Sequence, residues 1–440
     1  MPRVRWGIAV RGALGEGILT AGFHRVAGTL HCDGVPLDAL AGQVGTPSYV
    51  YSAPCIREQY TLLAQAFAGT PHRLHYSVKA NSNLAILALL QEMGAGVDIV
   101  SGGELFRALR AGYTGSGIVF SGVGKTEVEI EEALAADVLL INIESEEELR
   151  LVNDVAGRMQ RRARIALRVN PEVTVDTPHP YTRTGEKGMK FGIPHDEAVR
   201  VASVALGLKN LALAGLDMHV GSQIALFGPY EMGLQRLLAL LEQMRAAGAT
   251  EIRYVDIGGG LAVTYDTERP IDVAQLGSKV SAMLAGSGLQ LIVEPGRFIV
   301  GNAGVLLTKV LYRKRSGGKE YVITDAGMND LLRPSHYNAY HRIEPVKAVE
   351  GRIVADVVGP VCESGDFFAL NREIGDVSAG DILAVHSAGA YGFVMASQYN
   401  SRPKAAEVMV DGERYGVVTD REGYDDLVKG ERVEPRWSSL

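Results

Sequence analysis

Between residues 72 and 294 eight apolar runs of strand length alternate with helix-period segments, and no other feature narrows the fold so far. The runs are Leu74–Val78, Gly96–Val100, Ile118–Phe120, Val138–Ile143, Ile165–Val169, Leu213–His219, Ile252–Ile257 and Leu289–Glu294. Helical patterns over Asn83–Met93, Gly102–Ala111, Glu127–Ala135, Glu146–Met159, Asp196–Leu206, Tyr230–Ala247 and Ile271–Ala285 separate them. Continuously apolar strands belong to a parallel sheet covered on the outside. Eight such units in about 220–250 residues match a closed (β/α)8 barrel. An open doubly wound sheet is the alternative, and the unbroken rhythm ranks it second.

After Val300 the rhythm changes. Val305–Tyr312, Tyr321–Thr324, Ile353–Val358, Ile382–His386 and Val408–Val410 read as strands with few helices between them. Gly317-Gly318 and Asp411-Gly412 are hairpin-turn dipeptides. Ahead of the barrel, residues 1–45 read as irregular, with a short strand around Val26–Leu30. Gly45-Thr46-Pro47 opens a strand over Ser48–Tyr51, and helix-period residues follow from Ile56 to Phe67. The expected division is a barrel over 46–300 and a second, mainly β domain, sandwich- or barrel-like, built from 1–45 with 301–440.

Composition removes several functional classes. With 440 residues, 47% hydrophobic, two domains are within reach. A formal charge of −7 disfavours nucleic acid and anionic membrane surfaces, which call for a basic face. Cys32, Cys55 and Cys362 are odd in number and lack CxxC spacing, which disfavours a disulfide framework or a zinc site. No metal is expected. Arg3 and Arg5 precede no uninterrupted apolar segment, and no run approaches the ~20 residues of a membrane helix. The expectation is a cytoplasmic protein.

Chemistry collects at the strand ends, where α/β folds place their sites. The first strand ends at Lys79, the second carries Asp98 and runs into Ser101-Gly102-Gly103-Glu104, and the fifth ends in Arg168-Val169-Asn170. The sixth ends in His219-Val220-Gly221-Ser222-Gln223, the seventh in Asp256-Ile257-Gly258-Gly259-Gly260 and the eighth in Glu294-Pro295-Gly296-Arg297. Taken singly, a strand-end lysine is usually solvated, and His219 could be a satisfied core residue. Glu294 could cap a helix or pair with Arg297, and three glycines could be no more than a tight turn. Together they converge on one rim. Glycines without Cβ atoms let backbone N–H groups close on an anion. The run lacks the third glycine of GxGxxG, and there is no GxxxxGK[ST], so neither a dinucleotide nor ATP is the expected phosphate. A phosphate cradle, a lysine amine and a carboxylate able to keep a pyridine nitrogen protonated suit pyridoxal 5′-phosphate.

These residues resemble the diaminopimelate decarboxylases, pyridoxal phosphate enzymes of barrel-plus-β-domain fold. The resemblance is carried by Tyr76-Ser77-Val78-Lys79-Ala80-Asn81, His219–Gln223, Gly258–Gly260, Glu294–Arg297 and Gly359–Asp366. Gly45-Thr46-Pro47, Lys190-Phe191-Gly192 and Gly389-Ala390-Tyr391-Gly392 add to it, over about Val26 to Val418. The loop Asp176–Tyr181 departs by an extra proline before His179, and residues 1–20 are an extension without an assigned role.

The resemblance implies roles. Lys79 would hold the cofactor covalently and His219 would stack on its ring. Ser222, Gly259, Gly260 and Tyr391 would bind its phosphate, and Glu294 would face its pyridine nitrogen. Arg297, Arg333 and Tyr337 would take the substrate's distal carboxylate, with Tyr391 close by. Glu363 would take the distal ammonium, and Cys362 would reprotonate Cα. Cys362 and Glu363 would serve the partner subunit's site, so a homodimer is implied. The implied reaction is decarboxylation of meso-2,6-diaminopimelate to L-lysine, the last step of lysine biosynthesis. A related decarboxylase acting on ornithine, arginine or a carboxylated polyamine is the alternative. Glu363 after Cys362, where ornithine-type enzymes resemble Cys-Asp, argues against it. Cys362 in place of a tyrosine base argues against a racemase.

Overall fold

A computed structural model describes residues 22–438 other than 176, 178 and 183. The extension over residues 1–20, and Asp176 and Pro178 of the proline-bearing loop, lie outside the described residues.

Eight parallel strands close on themselves. In chain order they are His72–Ser77, Gly96–Ile99, Ile118–Phe120, Leu140–Ile143, Ala163–Asn170, Leu211–Asp217, Tyr254–Asp256 and Gln290–Val293. Each pairs with the next, and the eighth pairs back with the first through Leu291↔His72. A two-residue strand, Ile193–Pro194, pairs in parallel with the end of the fifth, Val169–Asn170. The closed barrel is the fold expected from the rhythm of the sequence. Side chains of period two explain what its interior holds. Ile118 and Phe120 pack outward against the helices, while Val119 joins Leu140, Ala166 and Ile292 in a separate inner cluster. One step further along the same strands come Ser121, Asn142, Arg168 and Glu294, all buried. The interior therefore turns from apolar to polar towards the carboxyl ends of the strands.

The helices begin where short polar side chains cap them. Asn83 accepts from Ala85 N–H, Ser101 from Glu104 N–H and Ser145 from Glu148 N–H. Thr126 and Glu129 form a reciprocal capping box. Each cap satisfies an N–H that the first helical turn leaves unpaired.

The second region is built on the 13-residue strand Gly304–Ser316. It pairs antiparallel with Lys319–Thr324, with Ile382–Val385 and with Ser48–Ser52. The sheet runs on through Arg352–Val358 to Phe367–Gly375 on one side and through Ala406–Asp411 to Arg414–Thr419 on the other. The strand over Ser48–Ser52, whose start falls in the range 46–300 counted with the barrel, is hydrogen-bonded into this sheet, parallel to Ala406–Asp411. Two further expectations are corrected at the N-terminal side. The stretch Val26–Leu30 is not one strand: Ala27 and Gly28 take φ of +48° and +84° and turn the chain between Phe23–Val26 and Thr29–Cys32. Two consecutive positive φ values suit a tight hairpin. The stretch before Gly45, read as irregular, contains the helix Leu37–Val44. Among the described residues, no helix is long and apolar enough to cross a membrane.

Candidate active site

The first barrel strand ends in a 3-10 turn, Val78–Ala80, which lifts Lys79 to the rim. Its Nζ lies 2.8 Å from Asp98 Oδ2, and the side chain is one-third exposed. Ser77 Oγ donates to the same oxygen at 2.8 Å. Burial pulls the Lys79 ammonium down, but Asp98, then Glu294, outweigh it and hold its pKa above the ordinary lysine value. Burial likewise opposes the Asp98 charge, and Lys79 overrides it, so that carboxyl is held below its usual range. The pair is a charged one.

The glycine run wraps against the sixth and eighth strands. A Cβ on Gly259 would meet Glu294 O at 2.1 Å, and one on Gly260 would meet Gly221 O at 2.1 Å. Gly258 and Gly260 take φ of +68° and +87°. Only glycine fits so close an approach with that backbone. Gly259 N–H donates to His219 Nδ1 at 3.2 Å, which leaves the imidazole proton on Nε2. Burial, then Arg168 and Lys79, push the His219 pKa down to about 3, so the ring is neutral.

Glu294 is buried, and its Oε1 has no hydrogen-bond partner. Carboxylate oxygens of Asp217, Asp256 and Glu294 lie within 4.8 Å of one another. Burial first, then Asp256, Asp98 and Asp217, raise the Glu294 pKa well above the carboxylate range. Arg168 bonds Glu144 at 2.7 Å and reaches Asp217 only at 3.9 Å. A cation at Glu294 would relieve this crowding.

Beside these groups stand two buried arginines. Arg297 donates to Tyr265 OH at 2.5 Å and to Ser222 Oγ at 3.1 Å, while its Nε has no partner. Its guanidinium carbon lies 4.8 Å from the Tyr391 ring centre. Arg333, on the short helix Arg333–Tyr337, donates from Nε to His341 Nε2 at 3.3 Å and lies 5.8 Å from the Tyr337 ring. Neither arginine has a carboxylate partner among the described residues. Tyr391, at φ +55°, is tied to the lysine turn by its N–H, which donates to Ala80 O at 2.8 Å.

The structure therefore gathers Lys79, His219, Ser222, Gly259, Gly260, Glu294, Arg297, Arg333, Tyr337 and Tyr391 at one end of the barrel. Cys362 and Glu363 lie on an exposed turn and bond elsewhere: Cys362 Sγ lies 3.2 Å from Asn400 Oδ1, and Tyr399 OH donates to Glu363 at 2.9 Å. Two groups carry more weight than their place in the sequence indicated. Asp98 ended a strand without an assigned role, yet it is the lysine's partner. Tyr265 sits in the loop after the glycines, and no pattern marks it.

The fit to pyridoxal phosphate rests on three observations. A buried carboxylate oxygen lacks a partner, the glycine cradle excludes any Cβ, and a lysine stands at the end of the first barrel strand with its amine 2.8 Å from Asp98. Comparison with known proteins agrees. Residues 54–301 match the model of the pyridoxal binding domain of pyridoxal-dependent decarboxylases. A diaminopimelate decarboxylase of Aquifex aeolicus is 47% identical over 407 residues, 91% of this chain and 95% of that protein. The crystal structure of diaminopimelate decarboxylase from Helicobacter pylori complexed with L-lysine superposes with a TM-score of 0.86 at 40% identity, covering 89% of this chain and 98% of that one. The M. jannaschii enzyme in co-complex with L-lysine gives 0.90 at 34% identity, covering 95% and 99%. Matched by these enzymes over nearly its whole length, the chain belongs to the diaminopimelate decarboxylase family of pyridoxal-dependent decarboxylases.

Proposed function

We propose that the protein decarboxylates meso-2,6-diaminopimelate to L-lysine and CO2. The observation that carries this reading is the pair of buried guanidinium groups, Arg297 and Arg333, with no carboxylate to meet them among the described residues. Buried charges are expected to be paired. A substrate with a second carboxylate at its far end supplies the partner.

Bound pyridoxal phosphate supplies an electron sink for the pair left at Cα when CO2 departs. The chain's own residues do the rest. Lys79 would hold the cofactor covalently and give up its place to the substrate amine. Asp98 keeps positive charge at that nitrogen. Neutral His219 would stack on the cofactor's ring, adding no charge to it. Ser222, Gly260 and Tyr391 would take the phosphate, and the Gly259 N–H would join them by giving up its bond to His219 Nδ1. Glu294, with its unpartnered Oε1, would face the pyridine nitrogen and keep its proton in place. Arg297, Arg333 and Tyr337 receive the distal carboxylate, and the bond from Arg297 to Ser222 sets that subsite against the phosphate. Cys362 returns a proton to Cα and Glu363 takes the distal ammonium, both at the site of a partner subunit. Their exposure on a surface turn supports a homodimer with shared sites. The pyridoxal-binding part begins at the helix Ala53–Ala66 and ends near residue 300; Ser48–Ser52 goes with the β region. Three free cysteines support a reducing, cytoplasmic setting.

Selectivity follows from charge. Ornithine or arginine would leave a buried arginine unpaired, a cost on the order of 3–5 kcal/mol. One methylene more or less is worth only ~1–3 kcal/mol. The test is a product assay with meso-diaminopimelate, ornithine and arginine offered separately. CO2 should be released from the first alone, with L-lysine as the other product; no L-lysine would sink the reading. Lys79→Ala should lose the yellow chromophore on dialysis while the wild type keeps it.

A further inference from the structure

Tyr265 stands on a loop held firmly in place. Its N–H donates to Glu268 Oε1 at 2.7 Å, and the N–H of Asp266 to Oε2 at 2.9 Å. Two residues earlier, Gln223 clamps Val263 on both sides, Nε2 to O and Oε1 to N–H, each at 2.9 Å. Gln223 follows the phosphate-loop serine, so the loop is registered to the cofactor end of the site. The Tyr265 ring is shared by the two arginines, with guanidinium carbons 5.8 Å (Arg297) and 5.2 Å (Arg333) from its centre. Its oxygen accepts from Arg297, and His341 meets the ring edge-on at 5.4 Å.

We propose that Tyr265 is a third residue of the distal-carboxylate receptor, steadying Arg297 while the site is empty and donating its O–H to the carboxylate when substrate arrives. The proposal rests on the reading of Arg297 and Arg333 as that receptor. Physically, two like-charged buried groups need an electron-rich neighbour, and a phenol supplies both a π face and an oxygen. A tyrosine can do this without being a full counter-ion, so it does not displace the substrate. It can also reverse its role, because a hydroxyl both accepts and donates.

The groups facing Tyr265 set a pH signature. Burial opposes the phenolate, but Arg297 and Arg333 outweigh it while Glu268 opposes them, so its pKa lies below that of an ordinary tyrosine. His341, pushed down to about 3 chiefly by burial, stays neutral. Tyr337 and Tyr391 face the arginines. At alkaline pH the Tyr265 phenolate would then compete with the incoming carboxylate for Arg297.

The experiment uses the holoenzyme and pimelate, the dicarboxylate without amino groups, as a competitive probe. Tyr265→Phe keeps the ring and removes the oxygen. Its pimelate inhibition constant should rise about tenfold, the equivalent of one hydrogen bond to a charged group. The KM for meso-diaminopimelate should rise by the same factor, with kcat within about twofold. In the wild type, with no substitution made, pimelate should shift the tyrosinate absorbance to higher pH, and its affinity should fall as that absorbance appears. Both effects should vanish in Tyr265→Phe. Pimelate affinity that depends on Arg333 (lost in Arg333→Gln) but not on the Tyr265 hydroxyl would overturn this proposal alone. Affinity indifferent to both would overturn the receptor reading beneath it.

Discussion

Glu294 and its neighbours pose a problem of charge that a single residue cannot solve. Its Oε1 is buried without a partner, and the Asp217 and Asp256 carboxylates crowd it. Burial, then the opposing pull of the Gly258 N–H and further nearby charges, leaves Asp256 pushed up to about 7. Both groups therefore hold protons in the folded chain that they would release when unfolded. The sign of the pH dependence follows by linkage. A carboxyl whose folded pKa is raised binds more protons folded than unfolded, so stability falls as pH rises past the unfolded value. The share of stability set by these two carboxyls in the cofactor-free wild type should accordingly fall between about pH 5 and about pH 8, against the rise that neutral His219 and His341 contribute below about pH 6.5, and Glu294→Gln should remove part of that fall. Denaturant midpoints across the range measure it. Wild type and variant with the same slope would mean that Glu294 is not protonated in the empty site. Arg168 in the same layer behaves differently, because Glu144 meets it at 2.7 Å and the pair is closed.

At the level of elements, one carboxylate fastens the N-terminal hairpin to the β region. Glu344 accepts from Arg25 Nη2 at 2.7 Å and faces His386 Nε2 at 2.9 Å and Arg342 at 3.3 Å. Burial works against its charge, but these partners prevail and bring its pKa down to about 2 from 4.5. A depressed carboxyl stabilises the fold above its unfolded pKa and loses that contribution as pH falls. Glu344→Gln should therefore lower stability near neutrality by about 3 kcal/mol, the difference shrinking towards zero as pH drops to about 2. A difference that persists undiminished in acid would point to packing instead of charge. The same elements show what the sequence could reveal. Barrel strands are apolar on both faces, so Ile118–Phe120 and Leu140–Ile143 stand out from single residues upward. Phe367–Gly375 and Arg414–Thr419 were missed because edge strands wet on one face leave no continuous apolar run. The turn at Ala27-Gly28 was hidden inside a β-like stretch, since alanine rarely takes positive φ. At the site, residue types at strand ends announced themselves. Tyr265 and the Lys79–Asp98 pair did not, because their meaning lies in partners that only the closed barrel brings near.

Across the whole molecule, the β region is bound to the lysine turn and presents two further groups away from it. Asn81 Nδ2 donates to Gly389 O at 3.0 Å, and Asn83 Nδ2 to Glu407 Oε2 at 2.8 Å, so the seam beside Lys79 is held by side chains from both parts. Cys362 and Glu363 face outward on their turn, steadied by Asn400 and Tyr399. A thiol and a carboxylate ordered on an exposed turn are what a second copy could use, since a two-fold interface lends each site the same residues from across it. This arrangement makes a quantitative prediction. Lys79→Ala and Cys362→Ala should each be nearly inactive as pure proteins. In an equal mixture co-expressed or refolded together, half of the dimers carry one chain of each kind. Each of these has one site with both defects and one with neither, so lysine formation should return to about a quarter of the wild-type rate. Recovery should disappear when the two proteins are mixed under conditions that forbid subunit exchange. No recovery in the co-assembled mixture would place Cys362 at its own chain's site, and a pure Cys362→Ala protein that keeps its activity would place it outside the reaction.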